Sequence, residues 1–197
     1  GGEAEASFGG IPVKAEVETR FPFEGKVKLA LTAEKEAKGT IRLRIPSYAS
    51  EISLSCDGKT VTAEAGSYAK IPFEGTKKEI TLSFVMPPHF VYANPKVRAD
   101  AGEVAVKRGP LVYCMEQADN GENLSNLFVD TTVEPVVTYE SGLLGGTDVI
   151  RLSGKRMDAE AWSSDALYAE KRVPLKATAL RLTATGETER PEKCRPG

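Results

Sequence analysis

The chain has 197 residues, of which 41% are hydrophobic and 27% charged, and this suits one large or two small globular domains. Lys and Arg number 26 against 28 Asp and Glu, a net charge of -2 that argues against nucleic acid or an anionic membrane as partner. No apolar run reaches membrane-spanning length, and the N-terminus lacks the basic and then apolar segments of a secretory signal.

In the first half of the chain, apolar and polar residues alternate in short segments. Side chains alternate between the two faces of a β-strand, so each segment offers one apolar face to a core. Turn-forming sequences separate the segments, among them Lys38-Gly39, Asp57-Gly58 and Phe-Glu-Gly at 73–75. Asp57-Gly58 also suits a two-residue hairpin turn. The predicted strands lie at 13–17, 27–31, 41–45, 52–56 and 80–84.

The second half of the chain is less regular. Met86-Pro-Pro88 interrupts the alternation, because proline cannot donate a hydrogen bond to a sheet, and a linker-like stretch follows it. Two short strands are predicted on either side of Arg108-Gly-Pro110. The predicted strands lie at 104–106, 111–115, 133–138, 148–152 and 168–175, with a turn at 119–121, a glycine-rich loop at 142–146 and a short helix at 158–168.

This pattern of elements predicts the fold class. Many short alternating strands with turns between them are typical of sandwiches and barrels. We expect an all-β protein of two antiparallel β-sandwich units with little helix. A fresh set of strands begins at Val104, so we place the first unit over residues 1–100 and the second over 101–197.

Residues with reactive side chains are sparse. Cys56, Cys114 and Cys194 form an odd, widely spaced set that matches neither a disulfide framework nor a zinc motif. We favour buried small hydrophobes, with a disulfide or a reactive thiol left open. His89, the single histidine, could act as a base but has no evident partner. We predict no catalytic, cofactor-binding or metal-binding residue, and leave the substrate-binding residues unknown.

Some polar and aromatic residues could bind a ligand. Carboxylates such as Glu116 and Asp119 usually belong to solvated faces, and no pair can be singled out for acid–base catalysis. Asn123-Leu-Ser125 fits the N-glycosylation sequon, whose use depends on the host. Aromatic side chains in a sandwich more often fill cores or cover edges than stack on sugars. The four that could form a sugar-stacking platform are Tyr48, Tyr68, Tyr92 and Trp162.

Two elements resemble those of a known family. The more specific one is Val104-Ala-Val-Lys-Arg-Gly-Pro-Leu-Val-Tyr-Cys-Met-Glu-Gln-Ala-Asp-Asn120. Upstream, Arg44-Ile-Pro-Ser-Tyr-Ala49 precedes the hairpin pair Asp57-Gly58. Their order and spacing resemble the β-sandwich region that follows the catalytic barrel in bacterial β-L-arabinofuranosidases of glycoside hydrolase family 127. That family typically has Trp where Tyr48 stands and Asn-Gly in place of Asp57-Gly58.

The resemblance implies a non-catalytic accessory region that packs against the helical catalytic barrel of the same polypeptide. In the family, a cysteine nucleophile, a zinc ion held by cysteines and a glutamate, and an acid–base glutamate all belong to that barrel. The motifs that carry them do not occur here, so zinc is implied only for the barrel and no role is transferred to Cys114. The alternative is an independent carbohydrate-binding module for plant-type or other arabinose-containing glycans.

The start of the chain bears on its location. Gly1-Gly2 carries no initiator Met, so we expect a fragment of a longer polypeptide, to which any export signal would belong. With bacterial relatives implied, we expect a location in the bacterial cytoplasm, or export if the preceding part carries a signal.

The tail departs from the family pattern from about residue 180. Relatives usually end in a segment like Pro-Tyr-x-x-Trp-x-Asn-Arg-x-x-Gly-Glu-Met-x-x-Trp, whereas residues 182–197 are polar. If each codon's third base is read with the first two of the next, these residues can encode Tyr-Gly-Asp-Trp-Gly-Asn-Arg-Glu-Ala-Gly-Glu-Met-Gln-Ala-Trp. We hypothesise a frameshift near residue 180, with a tail that packs irregularly as a result.

Sequencing the gene tests the frameshift. We expect third bases that spell the Trp-Gly-Asn-Arg motif in the shifted frame. Restoring that frame would supply two tryptophans and a tyrosine. It should therefore raise the melting temperature, because buried aromatic side chains contribute about 1.5–3 kcal/mol each. Third bases that do not encode this motif would show that the tail is native.

Overall fold

The computed structural model of the chain describes residues 1–143, 145–162, 167–168 and 170–184. Contacts divide the chain between Pro87 and Pro88 into two units. The strands of the first unit are β1 (Gly2–Phe8), β2 (Ile11–Thr19), β3 (Lys26–Arg44), β4 (Ser50–Cys56), β5 (Lys59–Thr60) and β6 (Tyr68–Val85). Those described in the second unit are β7 (Pro88–Tyr92), β8 (Val104–Arg108), β9 (Leu111–Met115), β10 (Leu127–Val129), β11 (Val136–Glu140), β12 (Thr147–Met157) and β13 (Leu175–Ala184).

Helix is limited to short pieces. The described helices are α1 (Gln117–Asn120) and three 3-10 turns, Arg98–Asp100, Leu124–Asn126 and Ala159–Ala161. None of the helices in the described ranges is long and apolar enough to span a membrane. The prediction of an all-β protein with antiparallel sheets and little helix is confirmed.

The first unit is one six-stranded antiparallel sheet in the order β1-β2-β3-β6-β4-β5. Its core collects the inward side chains of all the longer strands, with Ile45, Leu54, Ile71, Phe73 and Ile80 almost fully buried. The predicted turn at Asp57-Gly58 is confirmed. Cys56 pairs with Lys59, and both turn residues have positive φ, 48° and 75°, as a type I′ hairpin turn requires.

The two predicted turns at Lys38-Gly39 and 73–75 are wrong, because β3 and β6 run through them as one long antiparallel strand pair. Their register shifts between Thr32 and Ala37, and bulges of this kind bend a sheet. Beyond the shift, Phe73 lies 5.2 Å from the ring of Phe8 at the end of β1. The bent β3–β6 pair thus closes over the sheet to which it belongs, and one sheet supplies both walls of the core.

The second unit is also one antiparallel sheet, in the order β10-β12-β13-β9-β8-β7, with β11 also paired to β12. Val106, Tyr113, Ile150, Leu180 and Leu182 are buried together in its core. Where the sequence predicts a boundary near residue 100, contacts divide the chain after Pro87. The reason is that 88–92 form an edge strand on β8 rather than a linker, with a proline at its first residue, where proline is tolerated.

The last described strand differs from its prediction. Instead of a strand over 168–175, β13 begins at Leu175, directly after Pro174, whose carbonyl accepts a hydrogen bond from Asp158. Of the predicted helix at 158–168, the 3-10 turn Ala159–Ala161 is present, and residues 163–166 lie outside the described part. The predicted turn at 119–121 is the end of α1, which Gly121 terminates with φ +76°. The frameshift hypothesis concerns residues that lie mostly outside the described ranges; Leu182 to Ala184 belong to β13.

Gly39 is expected to be required for closure of the bent β3–β6 pair. A Cβ atom there would lie 2.7 Å from Cγ of Phe8, closer than carbon atoms can approach. Gly39→Val should therefore destabilise the first unit by about 1–3 kcal/mol, as overpacked cores do, measured by urea unfolding. Gly2→Val, in β1 of the same unit, where a Cβ meets nothing within 4 Å, is the matched control. Equal stability of the two variants would show that Phe8 moves aside without cost.

Candidate functional site

The segment that carries the resemblance folds as the β8–β9 hairpin followed by α1. Arg108 pairs with Leu111 across the turn, and Gly109 has φ +58°, a conformation that favours glycine. Val106 and Tyr113 point into the core, so Val112 and Cys114 lie on the opposite face of the sheet, which we call the outer face. The prediction of two strands around Arg108-Gly-Pro110 is confirmed.

Arg108 ties this hairpin to β12 through an ion pair. Its Nη1 donates to Oδ2 of Asp148 at 2.8 Å, and both side chains are largely buried, at 14% and 17% exposure. Removing one member of such a pair leaves an uncompensated charge in a poorly solvated place, which is more costly than the pair itself is stabilising. Arg108, in the most specific part of the motif, therefore helps to hold the β8–β9 hairpin to β12.

Asn120 completes the sheet where β9 ends. Strand β9 pairs with β13 only over 113–115, opposite 182–184, so the next residue of β13, Arg181, has no strand beside it on that edge. The Asn120 side chain takes that place: its Nδ2 donates to the Arg181 carbonyl at 2.7 Å, and its Oδ1 accepts from the Arg181 N–H at 2.8 Å. Nδ2 also donates to the Glu116 carbonyl at 3.0 Å. One amide side chain thus acts as a strand partner.

Charged groups surround this amide. The guanidinium of Arg181 donates to Oε2 of Glu140 at 2.6 Å and also pairs with Asp119. Oε1 of Glu140 accepts two more hydrogen bonds, from Arg181 Nε at 3.3 Å and from Arg151 at 2.9 Å. The hydrogen bond from Arg181, with the charges of both arginines, holds the pKa of Glu140 below its usual range. Of the carboxylates singled out from sequence, Asp119 is therefore a partner of Arg181.

Three further hydrogen bonds fix the segment. Glu116 Oε1 accepts from the Thr183 hydroxyl at 3.1 Å, and Arg156 donates to the Glu122 carbonyl at 2.8 Å and to that of Asn120. These three contacts join the segment after β9 to β12 or β13. The arrangement holds strands together, and its carboxylates are paired with cations or a hydroxyl rather than opposed across a cleft as acid–base catalysis requires.

The described cysteines and the histidine belong to three different strands, β4, β9 and β7. Cys114 is exposed on the outer face, contrary to the expected burial, because its neighbour Tyr113 occupies the core position. Cys56 is half-buried in the first unit, and burial together with the charge of Asp57 raises the pKa of its thiol. His89 is exposed on β7 opposite Lys107. Over the described residues, no three His, Cys, Asp or Glu side chains are grouped so that they could hold a metal ion; Cys194 lies outside those ranges.

The four aromatic residues fall two in each unit. Tyr48 packs against the core of the first unit, where burial raises its pKa, and Tyr68 is 56% exposed, with Cζ of Arg44 5.2 Å from its ring centroid. In the second unit, Tyr92 is 62% exposed and Trp162 is half-buried. Asn123 of the sequon is exposed, with φ +57°.

Substitution of Asn120 by Asp should separate the segment from β13. The carboxylate would retain an acceptor but lose the two N–H donors to the carbonyls of Arg181 and Glu116, at a cost of about 1–3 kcal/mol. In the control variant, Asn94→Asp, the side-chain oxygen only accepts a hydrogen bond, from Lys96 N–H, and stability should change little. Thermal unfolding of both variants provides the measurement; an Asn120→Asp variant as stable as Asn94→Asp would contradict the assigned role.

Comparison with known proteins places both units. Residues 2–86 match the family model of the β-L-arabinofuranosidase GH127 middle domain, and residues 88–183 match that of the glycoside hydrolase family 127 C-terminal domain. A non-reducing end β-L-arabinofuranosidase of Bifidobacterium longum is 36% identical over 169 residues, covering 81% of this chain and 25% of that protein.

Solved structures agree in fold. A GH127 β-L-arabinofuranosidase from Geobacillus stearothermophilus T6 matches with a TM-score of 0.80 and 34% identity, over 92% of this chain and 29% of its own. Another GH127 β-arabinofuranosidase matches with a TM-score of 0.75 and 28% identity, over 92% and 30%. The chain thus spans between a quarter and a third of the length of these relatives. This chain belongs to glycoside hydrolase family 127, and its two units correspond to the middle and C-terminal domains of that family.

Proposed function

We propose that this chain is a non-catalytic accessory region of a β-L-arabinofuranosidase-like enzyme and that it packs against and supports the helical catalytic barrel of the same polypeptide. The observation that carries the proposal is the extent of the match. Both units correspond to middle and C-terminal domains, and relatives named as β-L-arabinofuranosidases are three to four times longer. The polar network around Asn120 supports it, since those contacts join strands to one another.

The outer face of the second sheet offers a surface for such packing. Register places six exposed large apolar side chains on this face, opposite the core. They are Val91, Val112, Phe128, Val136, Met157 and Leu175. Single exposed apolar residues are ordinary, but several on one sheet face favour a surface that another part of the polypeptide covers.

The alternative, an independent carbohydrate-binding module for arabinose-containing glycans, is favoured by one observation. Tyr68 keeps much of its ring exposed beside the guanidinium of Arg44, and aromatic rings with polar neighbours are the usual elements of a sugar site. Retention of the chain on an arabinan affinity gel, lost in Tyr68→Ala, would support this alternative over a purely supporting role.

The packing proposal predicts an effect that depends on context. In the full-length enzyme from the same gene, Val136→Lys should lower the melting temperature by about 2 °C or more, because a charge would be placed against a covered surface. The 197-residue chain alone should tolerate the same change. Val133→Lys, at a similarly exposed valine outside the strands, is the matched control. A full-length enzyme unaffected by Val136→Lys would contradict packing on this face.

The chain alone is expected not to hydrolyse aryl β-L-arabinofuranosides. A thiolate nucleophile needs a nearby positive charge or metal to lower its pKa, and the described residues hold no group that fits a metal. Chromophore release should therefore equal that of buffer, and Cys114→Ala should make no difference. Turnover that disappears in Cys114→Ala would refute the accessory role and identify Cys114 as a nucleophile.

A further inference from the structure

Beyond the register shift, β3 and β6 continue as a two-stranded ribbon with one face outward. Ala69, Ile71 and Phe73 of this ribbon are buried, so the residues between them point to solvent. The outward pairs are Lys38 with Glu74, Thr40 with Pro72, Arg42 with Lys70, and Arg44 with Tyr68. All eight side chains are exposed, and we call this surface the basic face.

Positive charge predominates on the basic face. Its single carboxylate, Glu74, is paired with Lys38 at 2.9 Å. Arg42, Arg44 and Lys70 have no ion pair with any residue in the described part of the chain. Elsewhere in the same sheet the pattern differs: Lys14 and Lys28 are both paired with carboxylates across neighbouring strands. The basic face is therefore a concentration of uncompensated cations.

The arrangement of two of these cations points to an anion. Arg42 and Lys70 stand directly opposite each other across the ribbon, and like charges in that position are destabilising. A carboxylate between them would change repulsion into two charge-assisted hydrogen bonds, which are about twice as strong as neutral ones.

Tyr68 adds a second kind of recognition. Arg44 is held beside its ring, with Nη1 donating to the Gly66 carbonyl at 2.8 Å and Cζ 5.2 Å from the ring centroid. Much of the tyrosine remains exposed, leaving ring surface on which a sugar can stack. The remaining guanidinium N–H groups of Arg44 can bind a carboxylate in the planar, two-pronged geometry that arginine favours.

We propose that the basic face binds a carboxylate-bearing polysaccharide, a polymer of uronic acids. Cations alone would fit any polyanion, whereas the exposed ring of Tyr68 beside them, opposite Arg44 at the end of the ribbon, selects a sugar. Neighbouring strands are about 4.8 Å apart and alternate residues of one strand about 7 Å apart, so the cations form a ladder that suits regularly repeated carboxylates. The site adds a ligand to the accessory role and does not depend on packing by the outer face of the second unit.

The test is titration of the 197-residue chain with polygalacturonate at low salt and at about 0.3 M salt, where surface charges are screened. We expect binding at low salt that weakens with added salt. The double variant Arg42→Gln/Lys70→Gln should bind at least about tenfold more weakly, while its melting temperature without ligand is equal or higher, because the like-charge pair is gone. Tyr68→Ala should weaken binding and keep the salt dependence.

Matched controls separate this site from general electrostatics. Lys26→Gln/Lys59→Gln removes the same charge at exposed positions of the first unit outside the ribbon and should bind like the parent chain. Fully methyl-esterified polygalacturonate, which keeps the sugars without the charge, should bind weakly. The proposal is overturned if polygalacturonate does not bind at low salt, if the control variant loses equal affinity, or if poly-L-glutamate binds as well. A dimer that Arg42→Gln/Lys70→Gln abolishes, without polysaccharide binding, would identify a second copy as the occupant and also overturn it.

Discussion

The long pairing of β12 with β13 is the interaction on which the second unit depends. The two strands pair continuously from Val149–Thr183 to Met157–Leu175. One face of this pair supplies Ile150, Leu152, Leu180 and Leu182 to the core. The edges of the pair receive β10, β11 and β9, and the Arg108–Asp148 ion pair attaches the β8–β9 hairpin to it. The side-chain contacts of Arg108, Glu116, Asp119 and Asn120 across the sheet are likewise all made to one of these two strands.

The first unit covers its core by bending its own sheet. A single sheet has two faces, and one of them must be covered to exclude water from apolar side chains. The register shift in the β3–β6 pair allows the half of the pair beyond the shift to cover the rest of the sheet, where Phe73 meets Phe8 of β1. The apolar residues of the ribbon face the core, and the residues that alternate with them form the basic face on the opposite side. Core formation and charge segregation therefore arise from the same bend.

The sequence predicted correctly those elements that are specified by residues close together in the chain. The β8–β9 hairpin and the Asp57-Gly58 turn could be found because turn residues and alternation lie within a few positions of each other. Gly39 was misinterpreted because glycine serves both turns and close approaches, and only the fold brings Phe8 beside it. Strand β13 was misplaced because the sequence predicted a strand over 168–175 that includes Pro174, whereas the strand begins only after this proline, at Leu175.

The partners of the motif could not be predicted for a related reason. Asn120 and Arg181 are 61 residues apart, and Glu140 and Arg181 are 41 apart. No spacing rule connects residues across such intervals, so Glu116 and Asp119 looked like ordinary surface carboxylates. The family match ends at residue 183, close to the point where the frameshift is predicted; the reading frame of the tail stays a prediction that the gene sequence decides.

Asn120 has a consequence for solubility as well as for folding. A strand with free N–H and C=O groups along its edge is a template on which another chain can add, and this is a common route to aggregation. At Arg181 both groups are occupied by one side chain that belongs to a short helix rather than to a strand. The chain can therefore leave the sheet after Met115 without exposing the bonding groups of its neighbour there. Loss of the amide would open the sheet to self-association at the point where its own strands stop pairing.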